Sequence, residues 1–425
     1  MKIRNINIES LGCLNNFNIY FDKYKENEYN LFVLTGQNGS GKSTFLDALY
    51  SIAKSKNINE ISGVKFDIYS DKNKIMWGNL KNTTQNAEIQ NPWDMVIRYY
   101  TGNSERQLCL SDEYQSNLYL SLNRENLKWV LAACFLSGVW FLEDNKIIRD
   151  KLDSILFYGK NTFEPILVTL KLANYDKSIL EKLPKASNPD TINNIIEWDL
   201  TSKDILDSTF DVTATLNTLL NNKDKIQELH FIYKKSNCAE PLPDETLSDG
   251  ELGLIRRASI LTYLREIKDK KCLVLLDEPE THFNENWKRH FVYLIRKSFE
   301  HTKHDVFLAS HSSILVTDVK SNELYHFKNI CGNSQVNSVE FKTYGSSIID
   351  IGRILFNLEA DIGESSKEDI EATIKSNNKG DLEKLLLQVG PGEWRWKIRS
   401  KINQLEKADT CCNFKIKDQE LENEK

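Results

Sequence analysis

The chain opens with apolar residues at alternating positions. Ile3, Ile6 and Ile8 lead to Gly12, and Phe17, Ile19 and Phe21 then alternate with polar neighbours. A period of two predicts strands with one buried face. LFVLT (31–35) has no interior charge and predicts a short, fully buried strand. A helix is expected over 43–54, and the Asn-, Lys-, Ser- and Asp-rich residues 55–91 predict a loop-rich insertion. MVIRYYTG (95–102) and PILVTLKL (165–172) predict strands, while 112–156 reads as mostly helical. Residues 176–237 mix helix with polar loops and end in the strand ELHFIYKK (228–235). CAEPLPDETL (238–247) reads as a linker. A helix over 251–268, the strand KCLVLLDE (271–278), a helix around 284–300 and the strand DVFLAS (305–310) follow. After residue 320 a short strand region to about 342 is expected, then amphipathic helices to about 407 and a charged tail. The absence of sustained heptads argues against a long coiled coil.

Composition changes this picture little. With 425 residues, 40% of them hydrophobic and 27% charged, two or three lobes are expected. The expected divisions are 1–54, 55–237, 238–325 and 326–425. The first and third together build one nucleotide-binding lobe, the second is an insertion, and the last docks a partner. A net charge of −6 excludes a surface coated in positive charge, although a local basic patch remains open. The eight cysteines form no CxxC and no zinc spacing with histidine, which favours free thiols in a reducing cytosol. The start alternates where a signal peptide would be continuously apolar. The most apolar segment, Trp129 to Leu142, is too short to span a bilayer. A cytoplasmic protein with no membrane partner is expected.

Three segments carry chemistry. GQNGSGKST (36–44) matches G-x-x-x-x-G-K-[ST] and lies between a predicted strand and a predicted helix. Its glycines, Gly36, Gly39 and Gly41, let backbone N–H groups of the loop through Asn38, Ser40 and Thr44 wrap a phosphate, and the helix dipole assists. Lys42 can reach the outer phosphates, and Ser43 can ligate Mg²⁺. CLVLLDEPE (272–280) is a buried strand ending in carboxylates, which are costly there unless a metal or substrate meets them. Asp277 is expected to hold Mg²⁺ through water, and Glu278 to orient or deprotonate the attacking water. DVFLASHSS (305–313) places His311 at the end of the next strand, where a parallel sheet would set it beside the acidic strand and within reach of a γ-phosphate.

Taken in order, these segments resemble the ATP-binding-cassette type of P-loop ATPase. LSDGELGLIRRA (247–258) then looks like that superfamily's signature motif, usually LSGGQ, with Asp249 and Glu251 as departures. The resemblance implies an α/β fold with a mixed sheet core, a helical insertion lobe and a helical C-terminal region. It also implies ATP and Mg²⁺ as cofactors. Ser248 and Gly250 would cap the γ-phosphate held by Lys42 of a second copy, in a homodimer or higher homo-oligomer. Arg256 or Arg257 could bridge that interface. The family's glutamine loop has several candidates between 85 and 115. The N-terminal pattern looks like the SMC, RecF and OLD group. No coiled coil of the SMC kind and no D-x-D strand end of the OLD Toprim nuclease is present.

Within that group the chain resembles the PtuA family, the ATPases of Septu-type anti-phage systems that also occur beside retrons. YGSSIIDIGRILFN (344–357) and LLLQVGPGEWRWKIRSKINQL (385–405) carry the likeness into the tail. It implies an ATPase that senses for, or regulates, a separate HNH nuclease of the PtuB kind, with DNA or retron nucleic acid reached through the complex. An ATP-gated DNA-binding repair factor of the RecF or SMC kind, and an ATP-binding scaffold with little turnover, stay open. The tail segment with Trp394, Trp396, Arg395, Lys397, Arg399 and Lys401 admits three readings: a nucleic-acid contact, a docking surface, or a helix packed on its own core.

Overall fold

The computed structural model describes residues 2–21, 28–54, 64–69, 74–77, 93–100, 119–123, 126–157, 163–201, 210–236, 238 and 240–407. All the glutamines proposed for the glutamine loop, and Cys109, Cys411 and Cys412, lie outside these residues.

β1 (Lys2–Leu11) and β2 (Leu14–Tyr20) form the antiparallel hairpin that the alternation predicts, turning at Gly12. β3 (Asn30–Thr35) runs into the phosphate loop and α1 (Lys42–Lys54). β4 (Val64–Tyr69) and β5 (Lys74–Trp77) join the hairpin in a four-stranded sheet ordered β2-β1-β4-β5.

A second sheet holds the chemistry. β6 (Met95–Tyr100), β7 (Tyr119–Asn123), β13 (Cys272–Asp277), β14 (Asp305–Ser310) and β3 run parallel in the order β3-β14-β13-β6-β7. β15 (Leu324–Ile330) continues the parallel set beyond β3, and β16 (Asn333–Ser338) closes that edge antiparallel. β15, which crosses the expected division at 325/326, and β16 therefore belong to the same sheet as β3. Central strands of a parallel sheet are covered on both faces, which is why LFVLT, CLVLL and DVFLA carry no alternation. β7 lies in a segment read as helical from sequence. Leu120 and Leu122 are buried and alternate with half-buried Ser121 and Asn123, too brief a period-two signal beside the apolar helix that follows.

Between β7 and the signature lies the insertion: α2 (Leu127–Leu136), α3 (Lys146–Phe157), α4 (Val212–Asn221) and an antiparallel sheet. Its strands are β8 (Phe163–Leu172), β9 (Asn188–Asp190), β10 (Ile195–Asp199), β11 (Ile226–Lys235) and β12 (Leu242–Pro243), ordered β12-β11-β8-β10-β9. The insertion thus holds more sheet than the sequence suggests, because β9 and β10 are short and flanked by polar turns. α2 is buried along its length and packs on α5 (Asp249–Glu266), which explains an apolar run too short for a membrane. No described helix is long and apolar enough to cross one.

α6 (Glu285–Phe299) is the crossover that links the parallel strands β13 and β14. The inner face of the β1–β2 hairpin, Ile6, Ile8, Phe17 and Ile19, packs with Phe45 and Leu49 of α1 and with Phe32 and Phe307 of the main sheet. Phe32 and Phe307 stack at 4.6 Å, and Phe17 and Phe327 at 5.4 Å.

The chain separates into two compact units, Met1–Ile351 and Gly352–Lys425. The boundary falls inside α7 (Ile348–Phe356). In the second unit, α8 (Glu364–Ser376), α9 (Lys379–Gln388) and a helix over residues 393–407 enclose Ile370, Leu382, Ile398 and Ile402.

Candidate nucleotide site

The phosphate loop leaves β3 through glycines in conformations that side chains avoid: Gly36 at φ 144°, Gly39 at 75° and Gly41 at 97°. Two of the three are also closely packed. A Cβ on Gly36 would stand 2.2 Å from the Phe327 carbonyl oxygen, and one on Gly41 would stand 2.5 Å from Ser334 Oγ. Gly39 and Asn38 occupy the exposed tip, and Asn329 Nδ2 donates to the Gly39 carbonyl at 3.2 Å. Thr44 lies beneath the β1–β2 turn, its methyl 3.7 Å from where a Gly12 Cβ would be.

Lys42 is buried at the start of α1 and donates from Nζ to the carbonyls of Gly36 and Gln37, at 2.9 and 3.0 Å. Burial lowers its pKa, against the opposing fields of Glu278, Asp277 and Glu280. Ser43 Oγ donates to Asp277 Oδ1 at 3.0 Å. Burial raises the Asp277 pKa, and the bond from Ser43 opposes it. Glu278 follows in a left-handed conformation (φ 46°), its N–H bonded to Ala309 O at 2.9 Å. The strand thereby ends in a turn that points Glu278 toward β14. His311 Nδ1 lies 3.0 Å from Glu278 Oε1. That bond holds the Glu278 pKa below the ordinary carboxylate value and His311 above the ordinary imidazole value of 6.5. Lys42, Ser43, Asp277, Glu278 and His311 thus come together from three neighbouring strand ends.

The signature residues stand differently. Ser248 caps α5, and its oxygen accepts from the Glu251 N–H at 3.3 Å. The Glu251 carboxylate accepts from the Ser248 N–H at 2.9 Å and from its hydroxyl at 2.7 Å. Glu251 therefore closes a capping box, which accounts for a carboxylate at this position. Gly250 passes under Trp287, where a Cβ would meet the ring at 2.9 Å. Ser248 and Asp249 are exposed. Arg257 turns inward, bonded to Tyr99 Oη and Thr281 O at 3.1 Å each, which removes it from any role at a chain–chain surface. Arg256 stands 4.0 Å from Asp244 of its own chain.

Whether the loop suits a phosphate can be tested on its own atoms. Ser40 Oγ and Ser334 Oγ, both beside the loop, are buried without a hydrogen-bond partner. Orphaned buried hydroxyls facing a turn rich in N–H groups fit an oxyanion. For a divalent cation the chain offers one hydroxyl and one carboxylate. Among the described residues no group of three or more His, Cys, Asp or Glu could hold a metal alone. Mg²⁺ fits Ser43 and Asp277 only with phosphate oxygens and water completing its shell. Titration with Mg²⁺ alone is expected to give no measurable binding heat, with a site appearing once ATP is present.

Several contributors escaped the sequence reading. Asn329 and Ser334 reach the loop from β15 and β16, and Arg98 of β6 forms a buried ion pair with Asp47, one helical turn beyond Ser43. No sequence motif marks the first two, which lie on β15 and β16 outside the segments that carry the chemistry. Glu280 and Ser310 lie inside the segments already singled out, where only Asp277, Glu278 and His311 are given roles from sequence. In the tail, Arg395 caps α9 by donating to Leu386 O and Val389 O at 2.6 and 2.5 Å. Trp394 donates to Asp361 at 2.9 Å. These two favour the packed-helix reading, whereas Trp396 remains exposed.

A phosphate loop between a buried parallel strand and a helix, faced by strand-end carboxylates, defines a P-loop NTPase. The chain belongs to the AAA_21 family, described as "AAA domain, putative AbiEii toxin, Type IV TA system", whose model matches residues 31–318. This is a family of P-loop ATPases. No curated protein matches the chain. Among solved structures it is similar to the SMC head domain from Thermotoga maritima, at 12% identity over 80% of this chain and 100% of that one, with a TM-score of 0.39. An SMC head bound to the C-winged helix domain of ScpA gives 13% identity, 80% and 98% coverage and a TM-score of 0.40. An ATP-binding cassette of an ABC transporter in its ADP conformation gives 15% identity, 84% and 96% coverage and a TM-score of 0.30.

Proposed function

We propose that the chain is an ATP-hydrolysing subunit whose two copies close around two ATP–Mg²⁺, within a bacterial anti-phage complex of the PtuA kind. The observation that carries the hydrolytic part is the convergence of Lys42, Ser43, Asp277, Glu278 and His311 at adjacent strand ends. Lys42 neutralises the outer phosphates, and its present bonds to loop carbonyls are ones that phosphate oxygens can replace. Glu278, kept ionised by His311, is placed to orient or deprotonate the attacking water. His311, held with a raised pKa, contacts the γ-phosphate as a donor. Bound at Ser43 and Asp277, Mg²⁺ would supply charge neutralisation to the β- and γ-oxygens.

Pairing is supported by the signature. Ser248 and Asp249 are exposed at the start of a capped helix, and the Ser248 side chain and N–H bond to Glu251 within the capping box. Such an N-terminus suits an anion brought by another molecule. A closed pair would then be favoured by differential affinity for ATP over ADP. The family description, naming a toxin of a toxin–antitoxin system, supports a role in defence. The finer assignment, a PtuA-like subunit regulating an HNH nuclease, rests on the tail resemblance.

Mixing separates these claims. Ser248→Arg chains and Lys42→Ala chains are each expected to lack turnover alone. Mixed, they form pairs holding one intact composite site, and phosphate release returns. A mixture as inactive as its components counts against shared sites. Co-purification with a neighbouring HNH protein tests the partner.

A further inference from the structure

Glu280, three residues past Asp277, is only 1% exposed. Its Oε1 accepts a short hydrogen bond from Ser310 Oγ, and its Oε2 has no hydrogen-bond partner. Ser310 Oγ in turn accepts from the Ser312 N–H at 3.0 Å. His311 lies between those two serines, with Nδ1 3.0 Å from Glu278. At the other end, the Glu280 carbonyl accepts from the Phe283 N–H at 3.0 Å, and the Glu278 carbonyl accepts from Thr281 N–H at 3.1 Å. Glu280 therefore joins the turn after β13 to the turn after β14, from below.

As a source of stability this arrangement is poor. Stripping a carboxyl of water and leaving one oxygen unpaired costs more than a single hydroxyl bond returns. Burial favours the neutral acid, which can accept from Ser310 through its carbonyl oxygen but strands the remaining polar atom. An apolar side chain of similar volume would fill the space without that penalty. What the carboxyl does supply is a fixed acceptor. Ser310 can orient its hydroxyl only by donating to Glu280, and in that orientation its lone pair receives Ser312. The residue between them, His311, then has its backbone held at both flanks.

We propose that Glu280 is a positioning residue of the hydrolytic site: acting through Ser310, it fixes the turn 310–312 so that His311 meets the Glu278 carboxylate. This inference rests on the hydrolytic reading above. It places the third acidic residue of the DEPE segment in service without contact with nucleotide.

The test compares Glu280→Met, Glu280→Gln and Ser310→Ala in the full chain. Glu280→Met is expected to keep or raise Tm while lowering kcat about ten- to a hundredfold, as loss of alignment does, with KM for ATP changed less than about twofold. Glu280→Gln still accepts from Ser310 through its amide oxygen and is expected to recover kcat to within about threefold of wild type. Ser310→Ala should match Glu280→Met, and the double variant should lose no more than either, since both cut one chain of bonds. An unchanged kcat, additive losses, or a fall in Tm that tracks the fall in kcat would each overturn the proposal. If Glu280→Met does not fold, Ser310→Ala against Glu280→Gln makes the same comparison. A wild-type chain without ATPase activity would sink the hydrolytic reading instead. The ¹⁵N resonances of the His311 ring, compared between wild type and Ser310→Ala, then decide the positioning claim: a shifted Nδ1 signal upholds it, and an unmoved one overturns it.

Discussion

Glu278→Gln is expected to lower ATP turnover by about 10²–10⁴-fold while ATP still binds. The amide keeps the size of the side chain and can still meet His311 Nδ1, which now lies 3.0 Å from Glu278 Oε1. It cannot take a proton or carry the negative charge that aligns water. The hydrogen bonds of Lys42 to the loop carbonyls and of Ser43 to Asp277 are untouched by the change. Phosphate release and nucleotide binding, measured on the same protein, separate the outcomes. Turnover should fall with little change in affinity, and ATP-bound pairs should accumulate. A parallel loss of binding would place Glu278 in ground-state recognition and remove it from the chemical step.

The second large effect is structural. Gly36→Ala is expected to abolish nucleotide binding, whereas Gly39→Ala, a few residues on, should be tolerated. Both glycines have positive φ, which costs an alanine about 1–2 kcal/mol in the left-handed region and more at the 144° of Gly36. The difference lies in the surroundings. Nothing stands within 4 Å of a Cβ on Gly39. A Cβ on Gly36 would overlap the Phe327 carbonyl at 2.2 Å and crowd Ser40 Oγ at 3.0 Å. Phe327 cannot withdraw. It belongs to β15, which pairs with β3, and its ring lies 5.4 Å from that of Phe17 and 5.7 Å from that of Phe45 in a fully buried core. The loop must therefore move, and with it the carbonyls that now hold Lys42. ATP affinity and Tm of the two variants check the contrast. Equal losses at positions 36 and 39 would show that conformation alone, without packing, governs the loop.

Packing of this kind is invisible in a linear pattern. Phe327 lies far along the chain from Gly36, in a segment read only as a short strand region. Its contact with the loop exists because β15 pairs beside β3 while β14 occupies the other side. The same holds for the insertion. The strand PILVTLKL was legible because its eight residues carry a clear apolar run, but β9 and β10 consist of few residues between polar turns. Their strand character comes from pairing, β10 with β8 and β9 with β10, which propensity cannot report. In the signature, serine at an N-cap followed by Glu251 was legible as a helix start. That the glutamate uses its carboxylate on Ser248 emerged only from the geometry. Arg257 shows the opposite error: an arginine next to an exposed motif suggested an interface, and the helix phase turned it into the core beside Tyr99 and Phe283.

What the amino-acid order determined by itself is the set of local pieces. The phosphate loop, the acidic strand end and the histidine turn each fall within a few consecutive residues, where covalent spacing dictates which groups can act together. The tertiary structure decided which pieces meet. Ser43 finds Asp277, and His311 finds Glu278, because parallel pairing sets the ends of β3, β14 and β13 side by side. Glu280 acquires its partner in Ser310 for the same reason. Long-range pairing depends on burial shared among distant segments, and that sum is made only once the chain has folded.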